Sequence, residues 1–262
     1  MRMCKRAALC GINGLRVAAV STASHTAASI SALTWEELSA YSKVISKDHR
    51  YTYSNAIRAV TFSDGQVFGV GDYLSISING VSYQIDILGF HHDPVTDAAS
   101  YGGDYAGITW QMHDCYATKY GMNSSYTNAG GWNGCLMRTS TMQLLLGYLT
   151  SDLSGVIVPV DKLAGAGSGS STIITSSDNL FLLSEVEILG SLTYSSAGEG
   201  SRYAYYVAGN SMIKKLGGTA TRWWTRSPPE GNTIKFVNIT QYGDPSSIDA
   251  PYEWGVAFAF CT

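Results

Sequence analysis

Strand-like and helix-like stretches are segregated along this chain rather than alternating, which predicts an α+β fold built on antiparallel hairpins. Three observations carry that expectation. Asn79-Gly80 stands between two runs of alternating apolar residues. Helix-start signals at Thr34 and Ser184 open only short apolar stripes. The last third reads as β structure punctuated by Pro228-Pro229 and Asp244-Pro245.

The elements follow in order. Residues 1–20 imitate a signal peptide, with Arg2, Lys5 and Arg6 ahead of an apolar stretch. Gly11, Asn13, Gly14 and Arg16 then break that stretch. The segment is read instead as an attachment or assembly piece that completes no part of the core. Residues 21–31 form its polar linker. This divides the chain into an attachment segment at 1–33 and a domain at 34–262. Thr34 with Glu37 makes a capping box, and Trp35, Leu38, Tyr41 and Ile45 give a helical stripe to about Ser46.

Asn-Gly is the preferred pair of a two-residue type I′ turn. It sets Ile78 opposite Val81, Ile76 opposite Tyr83 and Leu74 opposite Ile85, all on one apolar face. Ser77 and Ser82, like Ser75 and Gln84, fall on the wet face. A one-residue slip would destroy both agreements. Residues 108–112 read as a strand, 123–134 as a polar loop around Trp132, and 136–148 as helix. Residues 151–160 read as a second short helix stopped by Pro159. Residues 163–171 read as an exposed Gly/Ser loop and 179–183 as a buried strand. Ser184 with Glu187 opens another helical turn. Residues 222–227, 233–242 and 254–261 read as strands.

Composition narrows the function classes. Apolar residues make up 45% of the 262, enough for a core, while charged residues are only 14% against roughly 25% in average domains. There are 28 glycines and 17 tyrosines, so the surface is expected to be hydroxyl-rich and nearly neutral. A net charge of −3 without a basic run argues against nucleic acid. No apolar stretch reaches the roughly 18 residues a membrane span needs. Five cysteines, at 4, 10, 115, 135 and 261, contain no CxxC pair. They read as free thiols, with a Cys115–Cys135 bridge as the alternative.

Chemical motifs are sparse. His91-His92-Asp93 with His113-Asp114 is the one metal-like cluster, but adjacent histidines on a strand point apart. A structural hydrogen-bond network is the competing reading, and no metal or cofactor is expected. There is no GxSxG elbow and no phosphate loop, because Gly165-Ala-Gly-Ser-Gly169 lacks the GK[ST] ending. Glu36/Glu37 and Glu185/Glu187 are explained by the acidic preference of helix starts. In Arg222-Trp-Trp-Thr-Arg226, strand alternation puts Trp224 between two guanidinium groups, with Trp223 facing the core.

With these residues in view, the sequence resembles a domain family of unknown function from phages and prophages of gut-dwelling Gram-positive bacteria. The motifs are Thr34-Trp-Glu-Glu-Leu38, Gly71-Asp72, Leu88-Gly-Phe-His-His-Asp93, Asn128-Ala-Gly-Gly-Trp-Asn133 with Met137-Arg138, and Asp178-Asn-Leu-Phe-Leu-Leu-Ser-Glu-Val-Glu187. Trp223-Trp-Thr-Arg-Ser-Pro228 and Gly255-Val-Ala-Phe-Ala-Phe-Cys261 close the set. The resemblance implies a C-type-lectin-like fold, distantly similar to formylglycine-generating enzymes and phage tropism determinants. The chain departs from the family pattern at Trp224-Thr-Arg-Ser-Pro-Pro229, and the reactive cysteine pair of the enzyme branch has no match. It is therefore expected to be a non-enzymatic virion protein of tail or fibre, made in the bacterial cytoplasm. Its partners would be a host-surface glycan or protein, other virion proteins through the N-terminal segment, and further copies of itself. The alternative is a structural decoration protein without a host ligand. The ligand face is expected on the loops between Thr225 and Trp254. Its candidate residues are Trp132, Trp224, Asn232, Asn238, Gln241, Tyr242, Asp244 and Tyr252, because amides, carboxylates and tyrosines bond and stack on sugars or protein loops.

Overall fold

A computed structural model describes residues 14–262. Cys4, Cys10 and the basic start of the signal-peptide-like stretch lie outside the described residues. The fold is α+β, with short helices and antiparallel sheets. Strand β1 (Val17–Ser21) pairs with β2 (Ala59–Phe62), which pairs with β3 (Val67–Gly69). The described part of the expected attachment segment therefore packs into the domain. Val17 is fully buried and Ile30 nearly so. Buried Asp72 ties the polar stretch down, accepting from the Ala28 amide at 2.8 Å and the Gly69 amide at 2.7 Å and meeting His25 at 2.7 Å. Nothing in the local pattern announces that Ala28 and His25 meet Asp72, which lies more than forty residues further on.

The capping box at Thr34 starts the helix Trp35–Ser46 as expected, with both reciprocal bonds formed. Trp35 anchors it edge-on against Trp110 at 5.8 Å and Phe260 at 6.0 Å. Those two rings belong to the central four-stranded sheet. In that sheet β4 (Tyr73–Ile78) and β5 (Val81–Phe90) form the expected hairpin, in the expected register. Asn79 (φ 50°) and Gly80 (φ 77°) both take the left-handed conformation that a type I′ turn requires. Leu74, Ile76, Ile78 and Ile85 are buried, and Tyr83 packs half-buried against them. Val81, at the hairpin tip, is 54% exposed. Ile76→Ala should cost roughly 2–5 kcal/mol in denaturant unfolding, and a loss under about 1 kcal/mol would contradict this face as core.

Strand β6 (Ile108–Met112) forms where the sequence places it and pairs with β5 across a bulge. Residues 136–148 are helical, first as one π turn, Met137–Thr141, then as Met142–Gly147. The short helix Ser151–Ser154 ends well before Pro159. The chain then enters β7 (Val160–Gly165), paired with β8 (Ile173–Asp178). This overturns the Gly/Ser-loop expectation for 163–165, and the strand expected at 179–183 does not form, the ladder lying before it at 173–178. The serines and threonines of β8 hide its strand character, because its partner rather than its apolar pattern holds it. Leu180 to Leu183 are buried as expected, with only Phe181 bridging to Ala259.

Strands β9 (Lys214–Leu216) and β10 (Thr219–Thr221) make a small hairpin. Strands β11 (Trp223–Trp224), β12 (Lys235–Ile239) and β13 (Pro245–Asp249) make the C-terminal sheet, with β13 starting where Asp244-Pro245 predicts only a turn. Strand β14 (Ala259–Cys261) returns to β6 and completes the central order β14-β6-β5-β4.

Candidate functional site

Two acidic and two basic side chains meet in the interior between these sheets. Asp93 follows β5, Lys162 lies on β7, and Arg226 follows β11. The capping box at Ser184 sets Glu187 at the start of the helix Glu185–Leu189. Lys162 Nζ donates to Asp93 and, at 2.8 Å, to Glu187, with the Tyr203 hydroxyl at 3.3 Å as its third acceptor. Arg226 uses all five donors. Nε goes to the Leu163 carbonyl, Nη1 to Leu182 O and Glu187, and Nη2 to Glu187 at 2.8 Å and to Glu199 O.

Burial opposes ionisation of Glu187, but the Arg226 and Lys162 charges outweigh it and bring its carboxyl down to about 2. Burial opposes ionisation of Asp93 too, and Lys162 and His92 override it, holding that carboxyl well below the usual range. Glu199 lacks such a cation of its own. Burial pushes it up to about 7, against the pull of Ser227, Arg226 and the Gly165 amide.

The motif residues form a second internal network. Asp178 accepts from Trp132 Nε1 at 2.8 Å and from Arg138 Nε at 2.6 Å. Asn128 donates to the carbonyls of Asn232 and Lys235 and accepts the Ser168 amide. Gly131 must be glycine, because a Cβ there would sit 1.9 Å from the Gly165 carbonyl oxygen. Glu185, also fully buried, accepts from the amides of Thr193, Tyr194 and Ser195. Both glutamates of that helix therefore do more than favour its start. A capping-box glutamate usually faces water, so no local signal could have revealed this.

The expected ligand residues divide by burial. Trp132 and Trp224 are fully buried, and Trp224 Nε1 donates to Tyr120 O at 2.8 Å. Asn238 is also fully buried, under Arg222 at 3.1 Å. The expected stacking of Trp224 between Arg222 and Arg226 does not form. Strand β11 is only two residues long, so alternation does not extend to Arg226, which turns to Glu187. Arg222 instead lies over Trp254 at 5.8 Å. Asn232 folds onto its own loop, accepting from the amides of Ile234 and Lys235. Gln241 is half-buried and Asp244 exposed. Tyr242 is 75% and Tyr252 47% exposed, and Tyr126, 60% exposed, stands beside Tyr252.

The three histidines make separate contacts rather than one cluster. His91 stacks between Tyr53 and Tyr105, each 4.9 Å away, and His92 stacks on Tyr203 at 3.9 Å. His113 pairs with Asp86 at 2.6 Å. Among the described residues no three His, Cys, Asp or Glu side chains are grouped to hold a metal. Cys115, Cys135 and Cys261 are free and buried, so the alternative Cys115–Cys135 bridge is not formed. Burial pushes the thiols of Cys115 and Cys135 up to about 12.

Two clefts open beside one another above the ion network. One, of about 370 Å3, is walled by Tyr51, Tyr53, His91 and Tyr105. The other, of about 400 Å3, has Asp93, Lys162, Glu187 and Arg226 in its floor. His92, Tyr105 and Ser201 line both.

A family model described as a domain of unknown function (DUF6273) matches residues 108–261, and the chain belongs to that family. The matched region starts on β6 and ends on β14, which pair with each other. No curated protein and no solved structure matches the chain significantly.

Proposed function

We propose that this DUF6273-family protein is a non-enzymatic binding module: a phage virion protein of tail or fibre whose C-type-lectin-like domain presents a face to a host-surface glycan or protein. The observation that carries the reading is the contrast within the C-terminal sheet. Phe236, Val237 and Ile239 of β12 are fully buried, while the loops they support hold Tyr242 and Tyr252 out in solvent. Exposed tyrosines on a rigid support supply contact area at low entropic cost, as in adaptable paratopes. The internal chemistry favours binding over catalysis in the same way. The strong charges are consumed by one another, and burial keeps the Cys115 and Cys135 thiols protonated. Trp132, Trp224 and Asn238 then serve as support for the face rather than as contacts. In this reading the N-terminal segment joins the domain to other virion proteins or to a neighbouring copy.

The test is binding of purified protein to cells of the Gram-positive host. Tyr242→Ala with Tyr252→Ala should weaken it by about 2 kcal/mol, roughly thirtyfold, with the melting temperature unchanged. A folded double variant that binds cells like the parent would remove this face from the reading.

A further inference from the structure

We propose that the groove formed by the two adjoining clefts is a separate binding site for an uncharged saccharide, centred on Tyr105. It shares no residue with the loop face, and it does not depend on the virion reading.

The charge inventory excludes an anionic ligand. Lys162 and Arg226 are the cations in the floor, and every donor they carry already meets an internal acceptor. Among the described residues, no lysine or arginine lines the first cleft. The floor carboxylates are equally occupied, since Asp93 takes Lys162 and Tyr203, and Glu187 takes Lys162 and Arg226. Asp161, on the wall of the same cleft, has no ion-pair partner among the described residues and accepts from Thr96 Oγ1 at 2.7 Å, so one carboxylate there can still accept from a ligand hydroxyl.

Apart from Asp161, the remaining groups are aromatic faces and neutral polar atoms. Tyr53, His91 and Tyr105 form a three-ring stack along one wall, and Tyr105 remains 38% exposed. Within that wall the Tyr53 hydroxyl and His91 Nε2 are buried without any hydrogen-bond partner. Such orphaned groups cost free energy until a partner arrives. His91 also sits at φ 51°, a conformation that non-glycine residues rarely keep without a local reason. Ser201 and His92 mark the waist where the clefts join.

Apolar ring faces beside neutral donors and acceptors match a sugar, whose C–H face stacks on aromatics while its hydroxyls bond at the edge. Each cleft falls within the ordinary size range of ligand pockets, roughly 300–1,000 Å3. The joined groove therefore suits more than one sugar unit.

Saturation-transfer NMR on the full chain tests this, with maltotriose, cellotriose and chitotriose as neutral probes and glucuronate and phosphate as anionic ones. At least one neutral trisaccharide should receive saturation. Tyr105→Ala should reduce its affinity at least tenfold. Tyr53→Phe, which removes only the orphaned hydroxyl and keeps the ring stack, should reduce it several-fold. The Tyr242→Ala, Tyr252→Ala double variant should bind the trisaccharide like the parent, which separates this site from the loop face. The proposal is overturned if no neutral probe binds, if binding survives Tyr105→Ala in a folded variant, or if only the anionic probes bind.

Discussion

Arg226→Met is expected to destabilise the protein by about 3–5 kcal/mol, the range for removing one partner of a buried ion pair. The guanidinium is fully buried and bonds Glu187 through two nitrogens while also holding the carbonyls of Leu163, Leu182 and Glu199. Methionine fills similar space but removes a donor from each of three carbonyls, of which Glu199 O keeps the Ser184 hydroxyl, and leaves one of Glu187's two cations missing. Arg226→Lys should rescue little of this, because an ammonium cannot reproduce the planar fork of five donors. Guanidinium chloride unfolding with fitted midpoints measures both variants. A loss below about 1 kcal/mol for Arg226→Met would mean the network contributes little to stability.

The second large effect is on the pH dependence. The folded-state pKa of Glu199 is raised to about 7 from an ordinary 4.5. Below pH 4.5 the group is protonated in both states and contributes nothing. As pH rises from 4.5 to 7 the unfolded chain ionises first, so stability falls, by about 3 kcal/mol over the whole window. Asp93 and Glu187 act in the opposite sense. Their folded pKa values are depressed, so their contribution is present above the ordinary carboxylate range and is lost as pH falls through the acid range.

His91, held low by burial, also loses stability as pH drops below its unfolded value. The difference between parent and Glu199→Gln therefore isolates the glutamate. The carboxamide of that variant can still accept the Gly165 amide and bond Ser227. The variant should gain on the parent steadily from pH 5 to 7 and be the more stable protein above about pH 7. Parallel stability curves for the two proteins across that range would show that Glu199 ionises normally.

Several elements were legible because their causes are local. A type I′ turn needs Asn-Gly at its two positions, and alternation on either side then settles which residues of β4 and β5 face the core. The capping boxes at Thr34 and Ser184 each lie within four residues, so the helix starts could be read directly. Strand β6 follows from five residues in a row. The burial of Leu180 to Leu183 was also legible from composition, although they form no strand, since β8 ends before them at Asp178.

What the sequence alone determined, then, is the α+β class, the register of the β4–β5 hairpin and the two principal helix starts. Each depends on contacts between near neighbours in the chain. The tertiary structure alone decided that residues 17–33 join the core through Asp72, and that 163–165 form a strand with Thr175, Ile174 and Ile173 as partners. It also decided that Trp132, Trp224 and Asn238 are interior, leaving Tyr242 and Tyr252 outside. The same holds for the joining of Asp93, Lys162, Glu187 and Arg226 into one saturated cluster. The reason is physical: a buried charge survives only beside its partner, and these partners come from segments 25 to 69 residues apart. No window of local pattern contains both members, so only the folded chain brings them together.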